Sequence, residues 1–425
     1  MGKRSRCRLF FILILGLTGF LYLMSGGTKA EDVKRQCHTG KQAHEAETIP
    51  GLHARAVCLM DMDTGRVLYG KNEEMELPNA STTKILTLLV LLEYGDLEDV
   101  VTISPYASRQ PKVHLGVVAG EQFRFKDLCY SLMLESHNDS AYALAEHVGS
   151  RLFGSQVTRE TTKEESQAYV RCFMEKVNEE AGAMGLRNTH FVTPNGLDGT
   201  DEKGEHHSTA EDLCRVLCIA SENETFCKIT QTSEHAFANC SGSHSCTVYN
   251  HNRLLSQMEG CITGKTGYTA KAGYCYAGAV KIGEKRFAGA VLACGWPPNK
   301  GYKWEDMRKL FAYGDQNYKL CQVGKDEKIQ VTVPVENGQK ECVKLSAQTE
   351  GLRLLLSEKE KVKIRRCIPK RLTAPLRKGT TVGRISYEMG EQTLCEYPVQ
   401  VTEEVPEINY PFYFWKHIDL FFLKK

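Results

Sequence analysis

The sequence predicts an α+β protein in which helices pack on an antiparallel sheet, followed by a smaller all-β domain. Alternating apolar and polar residues mark strands near both ends of the region 48–320, and helical periodicity fills the stretch between them. After about residue 325 the chain changes to short strands separated by Gly, Asn and Lys turns. A length of 425 residues allows two or three domains.

The predicted strands of the first domain come from its two ends. Residues 54–69 alternate around Asp63-Thr64-Gly65, which predicts a hairpin, and residues 261–279 and 286–294 alternate like adjacent antiparallel strands. In the all-β domain, placed at 325–403, the predicted strands span 328–335, 361–367, 380–387 and 397–402.

Helices are predicted between the strands of the first domain. In chain order they span 85–94, 125–148 with a break near 136–139, and 165–184. A capping box at Ser208-Thr209-Ala210-Glu211 predicts the start of a further helix that continues through Leu217.

The composition excludes several classes of protein. Apolar residues make up 42% and charged residues 25%, a globular balance that excludes disordered and collagen-like chains. Basic and acidic residues number 54 and 52, so no strong positive field exists to attract nucleic acid. The 17 cysteines are many for a cytosolic enzyme and few for a small disulfide scaffold. Their pairing stays open, although Cys58, Cys261 and Cys275 fall in predicted core strands, which favours buried thiols.

The first thirty residues, 1–30, predict a secretory signal. Basic residues precede an apolar run from Leu9 to Met24, and Thr28 and Ala30 are placed for cleavage after Ala30. The alternative is an uncleaved membrane anchor, but this run is shorter than the roughly 20 residues that a spanning helix needs. In either case we expect an exported protein, with a linker at 31–47.

The last residues, 408–425, predict an amphipathic helix. Its apolar face consists of Phe414, Trp415, Ile418, Phe421 and Phe422. Lys416 and Lys424 lie away from this face, and such an aromatic-rich helix suits a membrane surface. The alternative is a terminal helix that packs on its own domain.

Ser81 and Lys84 are the first candidates for catalysis. A serine and a lysine three residues apart at a helix start project from the same side. A serine needs a neighbouring base to act as a nucleophile, and a lysine in an apolar setting near other cations can lose its proton and serve as that base. The helix N-terminus adds N–H groups for a developing oxyanion. Alone, the pattern also fits an N-capping serine beside a surface lysine.

Two further motifs follow in a fixed order. Ser136-His137-Asn138 precedes an apolar helix, and Lys265-Thr266-Gly267 begins an alternating stretch. Gly267 would let a substrate backbone lie close to the strand. Ser-x-x-Lys, Ser-x-Asn and Lys-Thr-Gly in this order form a specific combination.

With these motifs, the sequence resembles the serine-type D-alanyl-D-alanine carboxypeptidases, the low-molecular-mass penicillin-binding proteins that trim peptidoglycan stem peptides. Segments around the motifs, such as ESHNDSAYALAEHVG and GKTGYTAKAGYCYAGA, also look like this family, and the likeness covers nearly all of the chain after the signal. The resemblance implies a penicillin-binding, β-lactamase-like α+β domain, a β domain and a membrane-docking helix. It also implies a location at the outer face of the cytoplasmic membrane or in the cell wall.

The resemblance implies a role for each motif residue. Ser81 would attack the carbonyl between two terminal D-alanines and form an acyl-enzyme, with Lys84 as general base and Ser136 as proton relay. The substrate would be bound by Asn138, Lys265, Thr266, Gly267 and Tyr268. The oxyanion hole would consist of the backbone N–H groups of Ser81 and Tyr268, and β-lactams would acylate Ser81 and leave slowly. The resemblance implies no cofactor and no metal.

A few positions depart from the family pattern or lie outside it. His137 stands where the family usually has Gly, and we interpret it as a residue at the rim of the cleft. Tyr268 stands where the family often has His, but only its backbone N–H is required. Cysteines and histidines at 240–251 could bind zinc, but their spacing fits no structural zinc pattern, so we expect a loop disulfide or free thiols.

Other functions on the same fold remain open. A D,D-endopeptidase would cleave cross-linked rather than monomeric stem peptides. A β-lactamase would share the motifs, although the β domain and the terminal helix argue against it, as does the lack of a Glu-x-x-Leu-Asn segment between the second and third motifs. A catalytically idle peptidoglycan-binding protein is the third alternative, and the three intact motifs argue against it.

Overall fold

The computed structural model describes residues 48–422. The predicted signal at 1–30 and linker at 31–47 lie outside the described residues, as do the last three residues of the predicted terminal helix. The chain divides into two compact units. One comprises the residues up to Cys321 together with Arg353–Lys359, and the other comprises Gln322–Leu352 and the residues from Glu360 onward.

Helices and strands are distributed differently between the two units. The helices are α1 (Lys84–Tyr94), α2 (Phe125–Leu134), α3 (Asn138–Leu152), α4 (Lys163–Ala183), α5 (Ala210–Ala220), α6 (Glu224–Gln231), α7 (Leu254–Gln257), α8 (Tyr302–Asn317) and α9 (Tyr410–Phe422). The strands are β1 (Ala56–Asp61), β2 (Val67–Lys71), β3 (Val100–Thr102), β4 (Gln122–Arg124), β5 (Thr200–Asp201), β6 (Gly204–Glu205), β7 (Glu234–Ala238), β8 (Ser245–Tyr249), β9 (Cys261–Thr269), β10 (Gly273–Ile282), β11 (Lys285–Leu292), β12 (Lys319–Val323), β13 (Glu327–Glu336), β14 (Cys342–Thr349), β15 (Leu352–Leu356), β16 (Val362–Cys367), β17 (Leu372–Thr373), β18 (Thr381–Met389) and β19 (Gln392–Val401).

A five-stranded antiparallel sheet organises the first unit. Its order is β2-β1-β11-β10-β9, so strands from the two ends of the unit pair directly, with Ala56 opposite Leu292. The predicted hairpin of β1 and β2 is confirmed. The stretch 261–279 holds two strands, β9 and β10, where the sequence suggested one. Only residues 270–272 connect the paired ends Thr269 and Gly273, and so short a connection did not stand out in the sequence pattern.

Successive residues of β1 face two separate apolar cores. Ala56, Cys58 and Met60 belong to the core that contains residues of α1, α2, α3 and α5, whereas Val57 and Leu59 belong to the core that contains residues of α8. This alternation follows from the two-residue period of a strand. Helices therefore cover both faces of the sheet, which confirms the predicted α+β class.

The predicted break in the long helical segment is confirmed, since α2 ends at Leu134 and α3 begins at Asn138. The predicted capping box was wrong by one residue. Thr209, not Ser208, caps α5, and its hydroxyl accepts a hydrogen bond from the backbone N–H of Asp212. Ser208 instead forms an antiparallel bridge with Leu77, so its backbone is already committed to a neighbouring segment.

The second unit contains a six-stranded sheet in the order β16-β18-β19-β14-β13-β17. The four strands that the sequence predicted after residue 325 correspond to β13, β16, β18 and β19, and the predicted all-β character is confirmed. The helix α9 follows this sheet in the chain. Among the described residues, no helix is both long and apolar enough to cross a bilayer.

Candidate active site

Ser81 lies in a 3₁₀ turn, Ala80–Thr83, immediately before Lys84 begins α1. Side chains three residues apart eclipse in such a turn, and Ser81 Oγ lies 3.0 Å from Lys84 Nζ. Ala80 has a φ of +49°, in the left-handed region that residues other than Gly seldom adopt. Lys84 is 0% exposed, so the alternative of a surface lysine beside a capping serine was wrong.

The amine of Lys84 contacts three oxygen atoms. Besides Ser81 Oγ, it lies 2.9 Å from Asn138 Oδ1 and 2.8 Å from the backbone oxygen of Asn195. Burial, and secondly the charge of Lys265, hold the pKa of Lys84 well below its ordinary value. A neutral amine has two N–H groups and one lone pair. Because the amide and backbone oxygens can only accept, they take both N–H groups, and the lone pair is left for the hydroxyl of Ser81.

Asn138 and Ser136 lie on either side of His137, where α2 gives way to α3. The side-chain amide of Asn138 is held at both ends, since its Oδ1 accepts from Lys84 and its Nδ2 donates to the oxygen of Pro111 at 3.1 Å. Ser136 has a φ of +69°. Its hydroxyl oxygen is buried and has no hydrogen-bond partner among the described residues. That hydroxyl is therefore not committed to another group of the described protein.

The Lys-Thr-Gly motif lies in β9, one of the two edge strands of the sheet. Lys265 is 2% exposed, its Nζ donates to the oxygen of Thr266 at 3.0 Å, and burial lowers its pKa to about 7. A Cβ on Gly267 would lie 2.9 Å from the backbone nitrogen of Ser81. Glycine is therefore required here because β9 packs against the nucleophile's own turn. Tyr268, next in the strand, is 45% exposed and packs against Tyr274 with the two rings tilted by 36°.

The structure adds a backbone oxygen that the sequence did not reveal. The oxygen of Asn195 accepts from Lys84 Nζ and lies 3.2 Å from Ser81 Oγ. Its neighbour Gly196 has a φ of +81°, and a Cβ there would lie 2.0 Å from the oxygen of Ala80. The only signal in the sequence was the Pro-Asn-Gly turn of this loop, which marks a turn but not a catalytic contact.

Asp139 is a second contributor that the sequence did not single out. Its carboxylate accepts from the backbone N–H groups of Leu115 and Gly116, both at 2.9 Å. The N–H of Asn138 donates to the oxygen of Val113 in the same loop. Asp139 thus holds the loop that fixes Asn138 against the start of α3.

The interpretation of His137 as a rim residue was wrong. The residue is 4% exposed, with Nδ1 2.8 Å from Ser131 Oγ and Nε2 3.2 Å from Glu135 Oε2. Burial lowers its pKa. The side chain lies inside the protein because it hydrogen-bonds the hydroxyl of Ser131 in α2.

Among the candidate cysteine and histidine ligands at 240–251, His244 is engaged by a carboxylate. Its Nδ1 lies 3.0 Å from Glu121 Oε1. Within residues 48–422, no group of three or more His, Cys, Asp or Glu side chains is arranged to hold a metal ion.

Comparison with known proteins identifies the class to which this fold and site belong. The family model described as D-alanyl-D-alanine carboxypeptidase matches residues 41–159 and 162–294, and the model described as penicillin-binding protein 5, C-terminal domain, matches residues 318–407. The chain belongs to the D-alanyl-D-alanine carboxypeptidase family. The resemblance predicted from the motifs is confirmed.

Individual relatives agree with this assignment. The chain is 27% identical over 411 residues to the D-alanyl-D-alanine carboxypeptidase DacF of Bacillus subtilis, covering 95% of this chain and 96% of that protein. It is 32% identical to DacB2 of Mycobacterium tuberculosis over 267 residues, covering 63% of this chain and 84% of that one. A crystal structure of penicillin-binding protein 5 from Haemophilus influenzae aligns with a TM-score of 0.65 at 25% identity, covering 85% of this chain and 100% of that one. This last likeness spans both the α+β and the all-β part of the fold.

Proposed function

We propose that the protein is a serine-type D-Ala-D-Ala carboxypeptidase that removes the terminal D-alanine from peptidoglycan stem pentapeptides through an acyl-enzyme on Ser81. The observation that carries the proposal is the contact of 3.0 Å between Ser81 Oγ and a fully buried Lys84 amine whose pKa is lowered by burial and by Lys265. A neutral amine at this distance is within reach to take the hydroxyl proton.

The acylation step follows from this geometry. As Ser81 Oγ attacks the carbonyl carbon of the penultimate D-alanine, its proton passes to Lys84 Nζ. The resulting ammonium is stabilised where it forms, because Asn138 Oδ1 and the oxygen of Asn195 both accept from it. The backbone N–H groups of Ser81 and Tyr268 serve as the oxyanion hole, at the place where Gly267 brings β9 against the turn.

The other motif residues bind the substrate and pass the proton from the Lys84 ammonium to the leaving group. Ser136 relays a proton to the nitrogen of the departing D-alanine, a role that suits a hydroxyl without a partner among the described residues. Asn138 hydrogen-bonds the substrate amide. Thr266 binds the terminal carboxylate and Lys265 supplies positive potential beside it. Water then hydrolyses the ester, and a β-lactam acylates Ser81 through its ring carbonyl, with the opened drug leaving slowly.

The test is the release of D-alanine from a synthetic peptide that ends in D-Ala-D-Ala. We expect wild-type protein to release it and to form a stable band with a fluorescent penicillin on a denaturing gel. Ser81→Ala should abolish both signals. The matched control is Ser256→Ala, a serine exposed on α7, which should retain both.

The same assay separates the rival functions. Rapid turnover of the penicillin without a stable band would indicate a β-lactamase, and absence of both labelling and D-alanine release would indicate an idle binding protein. Cleavage of cross-linked peptides in preference to monomeric ones would indicate a D,D-endopeptidase. Each of these results would contradict the proposed carboxypeptidase.

We also propose that the protein is exported by the segment 1–30 and that 408–425 docks on a membrane surface. The support for docking is α9, in which Phe414 and Trp415 are 52% and 63% exposed. The division into a catalytic domain at 48–320, a β domain at 325–403 and the helix is part of this proposal.

Deletion of 408–425 should release the exported protein from membranes. Replacing both Phe414 and Trp415 with Asp should do the same while keeping the chain length. Retention of either variant in the membrane fraction, after proven removal of the signal, would contradict docking through this helix.

A further inference from the structure

His206 is a buried side chain close to the site that the mechanism above does not use. It lies between β6 and α5, is 3% exposed, and its ring stacks on Phe191 with centroids 5.0 Å apart. Buried polar side chains are normally retained only with all their hydrogen bonds made. The hydrogen-bond partners of its two ring nitrogens therefore indicate what the residue does.

The contacts of His206 fix its tautomer. Nδ1 faces the backbone N–H groups of Val192 and Thr193 at 3.0 and 3.3 Å, so it must be an acceptor without a hydrogen. The hydrogen is then on Nε2, which donates to Thr83 Oγ1 at 2.8 Å. The ring is neutral, since a proton on Nδ1 would oppose two donors. In agreement, burial lowers the pKa of His206 to about 3.

The hydroxyl of Thr83 is fully used by this arrangement. It donates to the oxygen of Ala80 at 2.8 Å, and it accepts from Asn79 Nδ2 at 2.9 Å as well as from His206. A hydroxyl has one hydrogen and two lone pairs, so no capacity is left. The oxygen that it holds belongs to the left-handed residue directly before the nucleophile.

The other end of the imidazole holds the loop that carries Asn195. Thr193 comes two residues before Asn195, whose backbone oxygen contacts both Ser81 Oγ and Lys84 Nζ. His206 therefore connects the two segments whose relative position sets these contacts. One segment carries the nucleophile and its base, and the other carries the acceptor that orients them.

We propose that His206 is a positioning residue that holds the Asn195 oxygen in register with Ser81 and Lys84. The inference rests on the proposed function, because it concerns the rate of acylation at Ser81. A displacement of about 1 Å at a reacting group can cost about 100-fold in rate. Loosening this connection should therefore slow acylation and leave the initial, non-covalent binding of the drug unchanged.

The test uses two variants that each keep half of the connection. His206→Asn retains an acceptor near Val192 and Thr193 but loses the donor to Thr83, and His206→Gln retains the donor but loses the acceptor. We expect the limiting acylation rate constant with a fluorescent penicillin to fall about 100-fold in both variants. The dissociation constant of the non-covalent complex should stay within about twofold.

Variants of Thr83 provide a second measurement should the histidine variants fold poorly. Thr83→Val removes the hydroxyl at constant shape and should slow acylation, whereas Thr83→Ser keeps the hydroxyl and should restore it. The matched control is His207→Gln, the half-buried neighbouring histidine whose Nδ1 bonds the oxygen of Glu205, and it should acylate normally.

Two results would overturn the inference. One is wild-type acylation by both histidine variants and by Thr83→Val. The other is a loss of thermal stability alone, with the acylation rate constant of the folded protein unchanged, since this would make His206 merely structural. If the wild-type protein is not acylated at all, the proposed function fails and this inference fails with it.

Discussion

The protonation state of Lys84 is set by its individual contacts. Its two N–H groups are directed at oxygens of Asn138 and Asn195 that can only accept, and burial disfavours the charged form. A change at either acceptor should alter how readily Lys84 takes the proton of Ser81. Asn138 is the acceptor that a substitution can change, because the other is a backbone oxygen.

Asn138→Asp should shift the pH dependence of acylation. A carboxylate beside Lys84 favours the protonated amine and raises its pKa, so less of the lysine is neutral at pH 7. We expect the acid limb of the acylation profile to move up by about one pH unit or more. The measurement is the second-order rate constant with a fluorescent penicillin between pH 5 and 10.

The comparison variant is Asn138→Ala, which removes the same acceptor without adding charge. It should lower the rate across the whole pH range and leave the acid limb without the upward shift. An unshifted limb in Asn138→Asp would contradict the assignment of Lys84 as the base.

Among single residues, the sequence predicted the functional side chains but not the functional backbone groups. Ser81, Lys84 and Asn138 were predicted as site residues. In the structure, Lys84 Nζ lies within hydrogen-bond distance of both Ser81 Oγ and Asn138 Oδ1. The oxygen of Asn195 was missed because every residue has a backbone carbonyl and nothing in the pattern distinguishes this one. The burial of His137 was missed because it depends on Ser131 of the preceding helix.

At the scale of elements, α3 connects the site to the helical layer. It carries Asn138 in its first turn and Glu146 farther along, and Glu146 is 0% exposed. Glu146 Oε1 accepts from Ser104 at 2.9 Å and from Ser166 of α4, while Oε2 is buried without a partner among the described residues. Burial raises the pKa of Glu146 to about 7.

Glu146 should therefore make stability depend on pH. Its folded pKa of about 7 lies above the ordinary value of 4.5, so the folded state binds the proton more tightly than the unfolded state. This contribution is fully present below pH 4.5 and is lost as the pH rises through about 7. We expect the free energy of unfolding to fall by roughly 3 kcal/mol from this group over that range.

Glu146→Gln keeps the shape and cannot ionise, so it should remove this part of the pH dependence and be more stable than wild type at pH 8. Urea unfolding at pH 5, 6, 7 and 8 measures the effect. Glu164→Gln, exposed on α4, is the control and should follow the wild-type curve. Parallel curves for wild type and Glu146→Gln would contradict the prediction.

Helices with a long periodic segment were predicted well, whereas the residues at which helices begin and end were predicted less well. The helices over 85–94 and 165–184 agree with α1 and α4 within two residues at each end. The cap of α5 was displaced to Thr209, because Ser208 pairs with Leu77 in a contact distant in sequence. A local pattern cannot register such a contact.

At the scale of the whole molecule, the sheet unites motifs that lie far apart in the sequence. Lys265 is in β9, at one edge, and Ser81 begins the helical layer that covers one face. The strand and helix patterns predicted the α+β class, whereas the assembly of the three motifs into one site was implied by the family resemblance. The two-residue period of strands and the 3.6-residue period of helices do not indicate which strand lies at the edge of the sheet.

The cysteines provide a test of the whole fold. Within residues 48–422 the structure contains no disulfide, and Cys275 is fully buried, with a pKa raised by burial to about 12. Iodoacetamide should modify the exposed Cys240, Cys342 and Cys367 in the native protein and reach Cys275 only after unfolding. The temperature of unfolding should not change with a reducing agent. Failure of Cys275 to react in denaturant without reductant would contradict a free thiol.

The proposed mechanism requires that Ser81 carries the acyl group during turnover. The most direct measurement is rapid acid quenching of wild-type protein with a peptide ending in D-Ala-D-Ala, followed by mass analysis of the digested protein. We expect an adduct of the peptide minus its terminal D-alanine on the fragment that contains Ser81, and this adduct should be absent in Ser81→Ala. An adduct on another residue would contradict this role of Ser81. Undiminished release of D-alanine by Ser81→Ala would contradict it as well.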